Sequence, residues 1–422
     1  MKILLLSTSE RTGGAAIATN RLMHALNKSG QEAKMLVRDK QTDDPQVAPI
    51  NTDRRKKKIN FIRFAYERWV IFLNSRFGRK NLFAVSIANT GTDISKHPLV
   101  KEADIIHLHW INQGFLSLTD IRKLIESGKP VVWTMHDMWV FTGICHHAWG
   151  CEAFTKACGN CSFLASKKKN DLSARVLKGK RFLAQSNIRL VAVSSWLKNL
   201  AEKSVTTGKL NISVIPNVID TSVFSPSDKQ AMRNKYSFPP EKKIIIMGAA
   251  KINDTIKGFD ILRQALPLIE DKENLLLLLF GEIKKNGSFL SDMPVEYVYM
   301  GLLSDTSVIA ELYAAADVTV VPSHYETFGQ TLIESMACGC PVVSFNNSGQ
   351  ADIVNHQTNG YLAEYKNVED LAAGITWVLE NTEKLRLSDA CVKKAKENYS
   401  ETVVAGKYIA LYTDLLTGNG SL

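Results

Sequence analysis

The chain has 422 residues, of which 45% are hydrophobic and 22% charged, proportions that exclude an intrinsically disordered protein. This length is sufficient for two or three domains with well-buried cores. The 52 lysines and arginines outnumber the 42 acidic residues, so the formal net charge is +10. Such a balance favours anionic partners, which include nucleotide phosphates, a lipid phosphate surface and nucleic acid.

The sequence carries no recognisable signal for export or for membrane spanning. Its opening, "MKILLLSTSERTGG", has an apolar core of only four residues, which is short for a signal peptide. The longest apolar runs also fall well below the ~20 residues that span a bilayer. We therefore expect a cytoplasmic protein, in which the seven cysteines are thiols or metal ligands rather than disulfides.

Short apolar runs alternate with longer amphipathic segments, which is the pattern of parallel strands crossed by helices. Strand candidates in the first half are "KILLLST", "DIIHLH", "PVVWTMHD", "RLVAVS" and "NISVIPN". In the second half they are "KKIIIMGA", "NLLLLLFG", "VEYVYMG", "DVTVVPS" and "PVVSF". We therefore predict two Rossmann-like, doubly wound α/β domains that face a cleft at the carboxyl ends of both sheets.

The two halves are separated by residues 216–228, a stretch rich in Pro, Ser and Asp. We therefore predict an N-terminal domain over residues 1–217 and a C-terminal domain over residues 218–400. The tail, residues 401–422, has the spacing of a helix that can pack back on either domain, and the N-terminal domain is the expected partner.

A glycine pair, Gly13 and Gly14, follows the first predicted strand. Without a Cβ atom, glycine lets the backbone come close to a ligand group such as a phosphate. A plain tight turn is the alternative interpretation of the same pair.

Segment 54–80 joins a basic run, "RRKKK", to an aromatic-rich stretch. Aromatic residues in it are interleaved with charged ones: Phe61, Phe64, Trp69 and Phe72 with Arg63, Glu67 and Arg76. One interpretation is an amphipathic helix that lies on an anionic membrane surface with its aromatic rings at the lipid boundary. The other is an internal helix that covers the N-terminal sheet and keeps its charges in water.

Three histidines lie on or just after two predicted strands. His107 and His109, in "HLHW", alternate along one strand and are expected to point to the same face. They either line the cleft and contact a ligand there or have a structural role. His136 stands at the carboxyl end of "PVVWTMHD", where a ligand contact and a buried, hydrogen-bonded core position are both open.

Four cysteines lie within one stretch of 17 residues: Cys145, Cys151, Cys158 and Cys161. Their spacing, C-x5-C-x6-C-x2-C, ends in a C-x2-C pair of the kind that binds a tetrahedral structural zinc. Thiols that only pack the loop, an iron–sulfur cluster and disulfides are the alternatives. Because the cluster follows His136 closely, we expect it to shape a loop at the mouth of the cleft.

The stretch "DVTVVPSHYETFGQTLIESMACG" reads as a strand, a loop and a helix that ends in glycine. Glu326 is placed in the loop, and Glu334 is placed about two turns into the helix. The predicted helix start offers unpaired N–H groups to a phosphate, and it consists of Phe328, Gly329, Gln330 and Thr331. Glu334 can accept hydrogen bonds from a ribose diol. Glu326 can accept them from sugar hydroxyls or stabilise a developing positive charge. The alternative is an ordinary βαβ unit whose glutamates lie on the surface.

The stretch "ETFGQTLIE" resembles the E-x7-E motif of retaining glycosyltransferases with the GT-B fold, glycosyltransferase family four. Further stretches resemble the same family: "STSERTGGAAIATNRLMHALNKSGQEAKML", "VIPNVIDTSVF", "IKGFDILRQAL" and "YMGLLSDTSVIAELYAAAD". The resemblance spans nearly the whole chain. The cysteine-bearing stretch "WTMHDMWVFTGICHHAWGCEAFTKACGNC" is similar to bacterial exopolysaccharide transferases of the colanic-acid type.

The resemblance implies roles for individual residues. Gly13 and Gly14 match the family's glycine loop, beside the distal phosphate of the donor or the acceptor. Lys257 matches the cation that binds the diphosphate leaving group. In "GAAKIND" this chain lacks the family's arginine, so Lys251 takes that place without the bidentate geometry of a guanidinium. His136 is expected to contact a sugar hydroxyl, and we assign His136, Glu326 and Lys257 to the catalytic group.

The resemblance also implies a reaction. A hexose would pass from a nucleoside-diphosphate sugar to a glycan or lipid-linked acceptor in surface polysaccharide synthesis, with retention of configuration. The departing phosphate would help to deprotonate the acceptor hydroxyl, so no protein nucleophile is needed. No D-x-D sequence occurs in the chain, and we expect helix N-termini and Lys257, not a catalytic metal, to neutralise the diphosphate.

Other functions are compatible with parts of the sequence. A nucleotide-sugar epimerase or a phosphorylase can share a two-domain frame, and a sugar-nucleotide-binding protein without catalysis is a further alternative. A basic nucleic-acid-binding protein would account for the charge. Because the chain shows no recognisable DNA- or RNA-reading module, we expect no nucleic-acid partner.

Overall fold

A computed structural model of the chain describes residues 1–283 and 289–418. The chain divides into two compact units. The first comprises Met1–Pro216 and the chain from Val404 onwards, and the second comprises Asn217–Val403. The last four residues of the predicted C-terminal segment, 419–422, lie outside the described residues.

The first unit is built on a parallel sheet. Its strands are Lys2–Ser9 (β1), Glu32–Asp39 (β2), Val47–Pro49 (β3), Ile105–Leu108 (β4), Val131–Met135 (β5), Arg189–Ala192 (β6) and Ile212–Val214 (β7). Within residues 1–216, all of which the structure describes, these seven strands pair in the order β3-β2-β1-β4-β5-β6-β7. Each neighbouring pair is parallel.

Helices connect these strands. They are Gly14–Lys28 (α1), Arg54–Asn74 (α2), Pro98–Glu102 (α3), Leu118–Ile125 (α4), Leu172–Gly179 (α5) and Ser195–Glu202 (α6). Several begin at side chains that satisfy the first free N–H groups of a helix. Ser117 and Asp120 form a reciprocal capping box at α4, and the Asp171 carboxylate accepts two backbone hydrogen bonds at α5.

The second unit repeats this plan. Its strands are Lys243–Lys251 (β8), Leu275–Glu282 (β9), Glu296–Tyr299 (β10), Val318–Val321 (β11), Val342–Phe345 (β12) and Gly360–Ala363 (β13). Over residues 217–283 and 289–403 they form a six-stranded sheet in the order β10-β9-β8-β11-β12-β13. Its neighbouring strands are again parallel.

The helices of the second unit cover its sheet. They are Lys229–Lys235 (α7), Phe259–Ala265 (α8), Thr306–Ala315 (α9), Gln330–Ala337 (α10), Val368–Asn381 (α11) and Leu387–Tyr399 (α12). Strand β9, "LLLLLFGE", is buried from Leu275 to Gly281. A continuous apolar run of this kind is typical of a parallel strand that is covered on both faces.

The last helix, Glu401–Thr417 (α13), brings the end of the chain back to the first sheet. The Tyr412 hydroxyl is 2.7 Å from Nδ1 of His107 on β4. The Tyr408 hydroxyl is 2.9 Å from Oγ1 of Thr134 on the neighbouring strand β5. Both tyrosines are buried. This helix therefore packs against the core of the first unit.

The prediction of two Rossmann-like α/β domains with parallel sheets is confirmed. In the described part of the chain, no helix is long and apolar enough to cross a membrane.

Candidate active site

Lys257 and Glu326, both predicted to contact the donor, form an ion pair in the second unit. Lys257 Nζ lies 2.7 Å from Oε1 of Glu326, and Ser323 Oγ donates a hydrogen bond of 2.9 Å to the same oxygen. Lys257 follows β8 and Glu326 follows β11, and these two strands are neighbours. The pair therefore lies at the carboxyl edge of the sheet, where open α/β sheets bind their ligands.

Gly258 lets the two loops that carry this pair approach each other. Its φ is +69°, a conformation that residues with a Cβ atom rarely adopt. A Cβ atom at this position would lie 1.9 Å from the carbonyl oxygen of Pro322. Lys257 itself ends a single 3₁₀ turn, Thr255–Lys257, two residues before α8.

The helix start predicted at Phe328 lies two residues later in the structure. Gly329, with φ +118°, is the N-cap of α10, and no described side chain caps this end. Gln330 and Thr331 occupy the first turn of the helix. The Phe328 side chain is buried against Tyr399, with ring centroids 5.8 Å apart. It therefore packs in the core of the unit, and only the backbone N–H groups of this turn suit an anion.

Segment 347–350 holds the loop that carries Glu326. Glu326 N–H donates to Ser348 Oγ at 3.2 Å, and Gly349 N–H donates to the Glu326 carbonyl at 2.7 Å. The buried Gln350 donates to the Ser323 carbonyl at 3.0 Å. Ser323, Ser348 and Gln350 were not predicted from the sequence. For Ser323 a signal existed, because it is the polar residue that ends the predicted strand "DVTVVPS".

Glu334 and Lys251 are not part of the Lys257–Glu326 pair. Glu334 is partly buried on α10. Burial raises the pKa of the Tyr313 phenol well above its usual value, and the Glu334 carboxylate adds to that shift. Lys251 is exposed at the last residue of β8. Its predicted role as a substitute for the family arginine stays a prediction.

In the first unit, Gly13 and Gly14 stand at the start of α1. Gly13 has φ +92° and is the N-cap, and no described atom lies within 4 Å of the place where its Cβ atom would be. Gln41 orders the preceding loop, because its Oε1 accepts hydrogen bonds from Ser9 Oγ and Arg11 N–H, both at 2.9 Å. The space beside Gly13 thus admits a ligand group, and Gln41 is a further residue that the sequence analysis missed.

Three histidines of the first unit lie in a row, in which His107 and His109 are buried and His136 is partly buried. The rings of His107 and His109 lie 4.1 Å apart between centroids, which confirms their predicted common face. His109 Nδ1 lies 2.9 Å from Nε2 of His136, and His107 Nε2 lies 2.8 Å from Oγ1 of Thr134. Burial lowers the pKa of His136 to about 4 and the pKa of the other two well below the usual value. All three are therefore neutral at pH 7.

Asp137, the residue after His136, anchors the following loop. Burial opposes its ionisation, but the adjacent His146 outweighs this and the pKa of Asp137 is lowered to about 2. Its carboxylate lies 2.6 Å from His146 Nδ1 and accepts hydrogen bonds from Trp110 Nε1 and Trp139 N–H. Asp137 was not predicted from the sequence, although it is a charged residue at the end of a predicted strand.

Lys180 was also missed, and it supports the turn after Asp137. Its ammonium is buried, lies 3.5 Å from the centroid of the Trp139 ring, and donates to the carbonyls of Trp139 and Thr142. Burial lowers the pKa of Lys180 to about 7, although Cys145 and Asp137 act in the opposite direction. The local sequence around Lys180 gives no sign of this role, since lysine is rarely buried.

The four clustered cysteines are free thiols. Burial raises the pKa of Cys145 to about 12 and that of Cys158 to about 11, and it also raises the pKa of Cys161. Across residues 1–283 and 289–418, no three His, Cys, Asp or Glu side chains are arranged to hold a metal ion. Structural zinc bound by Cys145, Cys151, Cys158 and Cys161 stays a prediction.

Known structures share this architecture. Sucrose-phosphate synthase from Thermosynechococcus elongatus superposes with a TM-score of 0.69 at 19% sequence identity, over 99% of each chain. The Anabaena protein HepE, solved in complex with UDP and glucose, gives a TM-score of 0.62 at 17% identity over 98% of this chain and 99% of its own. The predicted GT-B fold class is therefore confirmed.

Sequence comparisons identify the family. The model described as "Glycosyltransferase Family 4" matches residues 12–223, and "Glycosyl transferases group 1" matches residues 228–398. D-inositol 3-phosphate glycosyltransferase from Thermobispora bispora is 25% identical over 327 residues, which cover 74% of this chain and 71% of that relative. The chain belongs to Glycosyltransferase Family 4 and is a glycosyltransferase.

Proposed function

We propose that the protein is a retaining hexosyltransferase that uses a nucleoside-diphosphate sugar and acts in surface polysaccharide synthesis, with a glycan or a lipid-linked sugar as acceptor. The observation that carries this proposal is the Lys257–Glu326 ion pair at the carboxyl edge of the second sheet. A cation held in place there meets the main electrostatic demand of the reaction, the growing negative charge of a diphosphate leaving group.

Lys257 can serve the diphosphate without losing Glu326. An ammonium has three N–H donors, and the contact with Glu326 Oε1 uses one of them. The N-terminus of α10, where Gly329 leaves the first N–H groups without a side-chain cap among the described residues, is the proposed second phosphate contact. The UDP complex of the HepE protein, which has the same fold, supports a nucleotide donor.

The remaining donor contacts follow from the resemblance. Glu334 is proposed to accept hydrogen bonds from the ribose diol, and Glu326 from sugar hydroxyls. Lys251, Gly13 and Gly14 are proposed to lie near phosphate. No nucleophile is assigned, because the departing phosphate can accept the proton of the attacking hydroxyl as the new glycosidic bond forms and the bond to the leaving group breaks.

His136 is proposed as a hydrogen-bonding partner of a sugar hydroxyl in the first unit. Because burial lowers its pKa to about 4, the ring is neutral at pH 7 and can exchange hydrogen bonds with a hydroxyl. It does not carry the positive charge that a general acid needs at this pH. The proposed location is the cytoplasm, peripheral to the inner face of the membrane, where lipid-linked acceptors are accessible.

Nucleotide binding tests the donor site directly. We expect the melting temperature of the protein to rise with one of UDP, GDP, TDP and ADP, since a ligand at 100 times its Kd stabilises by about 2.7 kcal/mol. The Lys257→Met and Glu334→Ala variants should lose this shift. Lys272→Met, which alters a lysine in another 3₁₀ turn of the same unit, should keep it.

Product analysis completes the test. Polyprenyl-diphosphate-linked sugars and free glycans are incubated with the matching nucleotide sugar, and the anomeric configuration of the product is read by NMR. Retention relative to the donor supports the proposal, and inversion overturns it. Absence of a melting shift with every nucleotide at millimolar concentration would overturn the donor site itself.

A further inference from the structure

Helix α2 turns an apolar face to water. Five apolar residues recur at helical spacing along it: Ile59, Ile62, Tyr66, Trp69 and Leu73. Positions separated by three and four residues lie on one side of a helix. Each of these side chains is between 38% and 55% exposed. The helix thus presents a continuous apolar stripe along most of its length.

The opposite face of α2, which is buried, is largely polar. Glu67 and Arg68 are buried as an ion pair of 3.1 Å. Glu67 Oε1 accepts the N–H groups of Ile87 and Ala88 at 2.8 and 3.0 Å, and Asn60 Oδ1 accepts from Thr92 Oγ1 at 2.8 Å. A surface helix of a globular protein normally buries its apolar side. Here that relation is reversed, which indicates that something else covers the apolar face.

Neighbouring aromatic rings widen this face. Phe61 and Phe77 are each 67% exposed, and Phe83 is 60% exposed. Phe83 stacks on Phe64 with ring centroids 6.4 Å apart, and Phe77 lies edge-on to Phe72 at 5.4 Å. We call the five stripe residues together with Phe61, Phe77 and Phe83 the aromatic face.

The charges around the aromatic face are positive. Five consecutive exposed basic residues, Arg54 to Lys58, stand at the start of α2, and Arg76, Arg79 and Lys80 are exposed beyond its end. Two acidic residues occur from 53 to 80: Glu67, which is buried, and the N-cap Asp53, whose carboxylate accepts the Lys56 N–H. Basic residues therefore greatly outnumber acidic ones around this face. A second copy of this helix, in either orientation, would bring basic residues against basic residues. An anionic surface is complementary along the whole face.

We infer that the aromatic face of α2 docks on an anionic lipid bilayer, with the helix axis in the plane of the membrane surface and its basic residues at the phosphate groups. At 1.5 Å per residue, the 21 residues of α2 extend for about 30 Å. Trp and Tyr favour the boundary between headgroups and acyl chains, and basic residues favour anionic lipids. This inference concerns the first unit alone and does not depend on the proposed donor chemistry.

Vesicle co-sedimentation of the full chain tests the inference. We expect binding to phosphatidylcholine vesicles that contain 30% phosphatidylglycerol, and much weaker binding to phosphatidylcholine alone. The Ile62→Gln/Trp69→Gln variant should lose binding to the anionic vesicles. Lys57→Gln/Lys58→Gln should weaken it by roughly tenfold or more, and 0.5 M NaCl should weaken it for the wild type.

The matched control is Leu268→Gln/Leu302→Gln, which replaces two exposed apolar residues of the second unit and should bind as the wild type does. All these substitutions are at exposed positions, so circular dichroism and melting temperature should stay unchanged. Equal binding by wild type and the Ile62→Gln/Trp69→Gln variant overturns the inference. So does a dimer in sedimentation velocity that this variant dissociates, if the wild type does not bind vesicles.

Discussion

Gly258 holds the loop after β8 in a conformation that depends on the missing side chain. Its φ of +69° lies in the left-handed region, and a Cβ atom would lie 1.9 Å from the Pro322 carbonyl oxygen. Pro322 directly follows β11, so the contact joins the two loops that carry Lys257 and Glu326. Accurate placement of the ion pair therefore depends on a glycine next to the lysine.

Substitution of Gly258 by alanine should separate the two loops. The left-handed conformation alone disfavours alanine by about 1 kcal/mol, and forced overpacking against backbone adds roughly 2 kcal/mol. We expect Gly258→Ala to lower the free energy of unfolding by the sum of these two contributions. It should also reduce the nucleotide-induced rise in melting temperature. Urea denaturation and the nucleotide titration measure the two effects.

Gly301 provides the matched control for this prediction. Its φ is +71°, yet no described atom lies within 4 Å of the place where its Cβ atom would be. Gly301→Ala should therefore lower the free energy of unfolding only by the cost of the left-handed conformation, about 1 kcal/mol. Equal losses in the two variants would show that the approach to Pro322 does not matter.

At the scale of elements, the sequence predicts central strands better than edge strands. Runs such as those of β1 and β9 are covered on both faces and are therefore continuously apolar. The strands that the sequence analysis missed are β2, β3 and β13. Strand β2 ends in Arg38 and Asp39, and β3 and β13 are short strands at the edges of their sheets. Strands β3 and β13 offer little apolar sequence to signal them, whereas the apolar runs at the edge strands β7 and β10 were predicted.

Only part of the candidate site is predictable from the sequence. Glu326 and Lys257 are each identified by their local sequence, but they are 69 residues apart in the chain. Their direct contact follows from the adjacency of β8 and β11, which a single sequence does not reveal. The orientation of α2 is hidden as well, because its polar residues can be satisfied either by water or, as here, by a buried ion pair.

The attachment of α2 to segment 82–88 should depend on that ion pair. Glu67→Ala would leave Arg68 buried without its carboxylate and would leave the N–H groups of Ile87 and Ala88 without their acceptor. We expect the free energy of unfolding to fall by roughly 3 kcal/mol. Urea denaturation followed by circular dichroism measures it.

Two controls separate charge from hydrogen bonding at this position. Glu67→Gln keeps an oxygen for the two backbone N–H groups and should be less destabilising than Glu67→Ala. Glu126→Ala removes an exposed carboxylate that lies 3.9 Å from Arg122 on α4 and should have little effect. A loss in Glu67→Ala no larger than in Glu126→Ala would contradict the structural role of the pair.

At the scale of the whole molecule, the chain leaves the first unit at Pro216 and returns to it at Val404. The helical spacing of the tail is visible in the sequence, but its partners are not. Tyr412 and Tyr408 meet His107 and Thr134 across 305 and 274 residues of chain. The core of the first unit is therefore completed by residues that lie far along the chain from the strands they contact.

Tyr412 is the residue whose loss should show this dependence most clearly. Tyr412→Ala removes a fully buried aromatic ring, which typically lowers the free energy of unfolding by about 3–5 kcal/mol. Tyr412→Phe keeps the ring but leaves Nδ1 of the buried His107 without this partner, a loss of roughly 1–3 kcal/mol. Leu416→Ala, at an exposed position of α13, is the control and should change little.

Hydrogen exchange should quicken at the β4 amides, Ile105–Leu108, in the order Leu416→Ala, Tyr412→Phe, Tyr412→Ala, because α13 covers that strand in the folded state. Unchanged exchange at β4 in Tyr412→Ala would mean that the first sheet is stable without the returning helix.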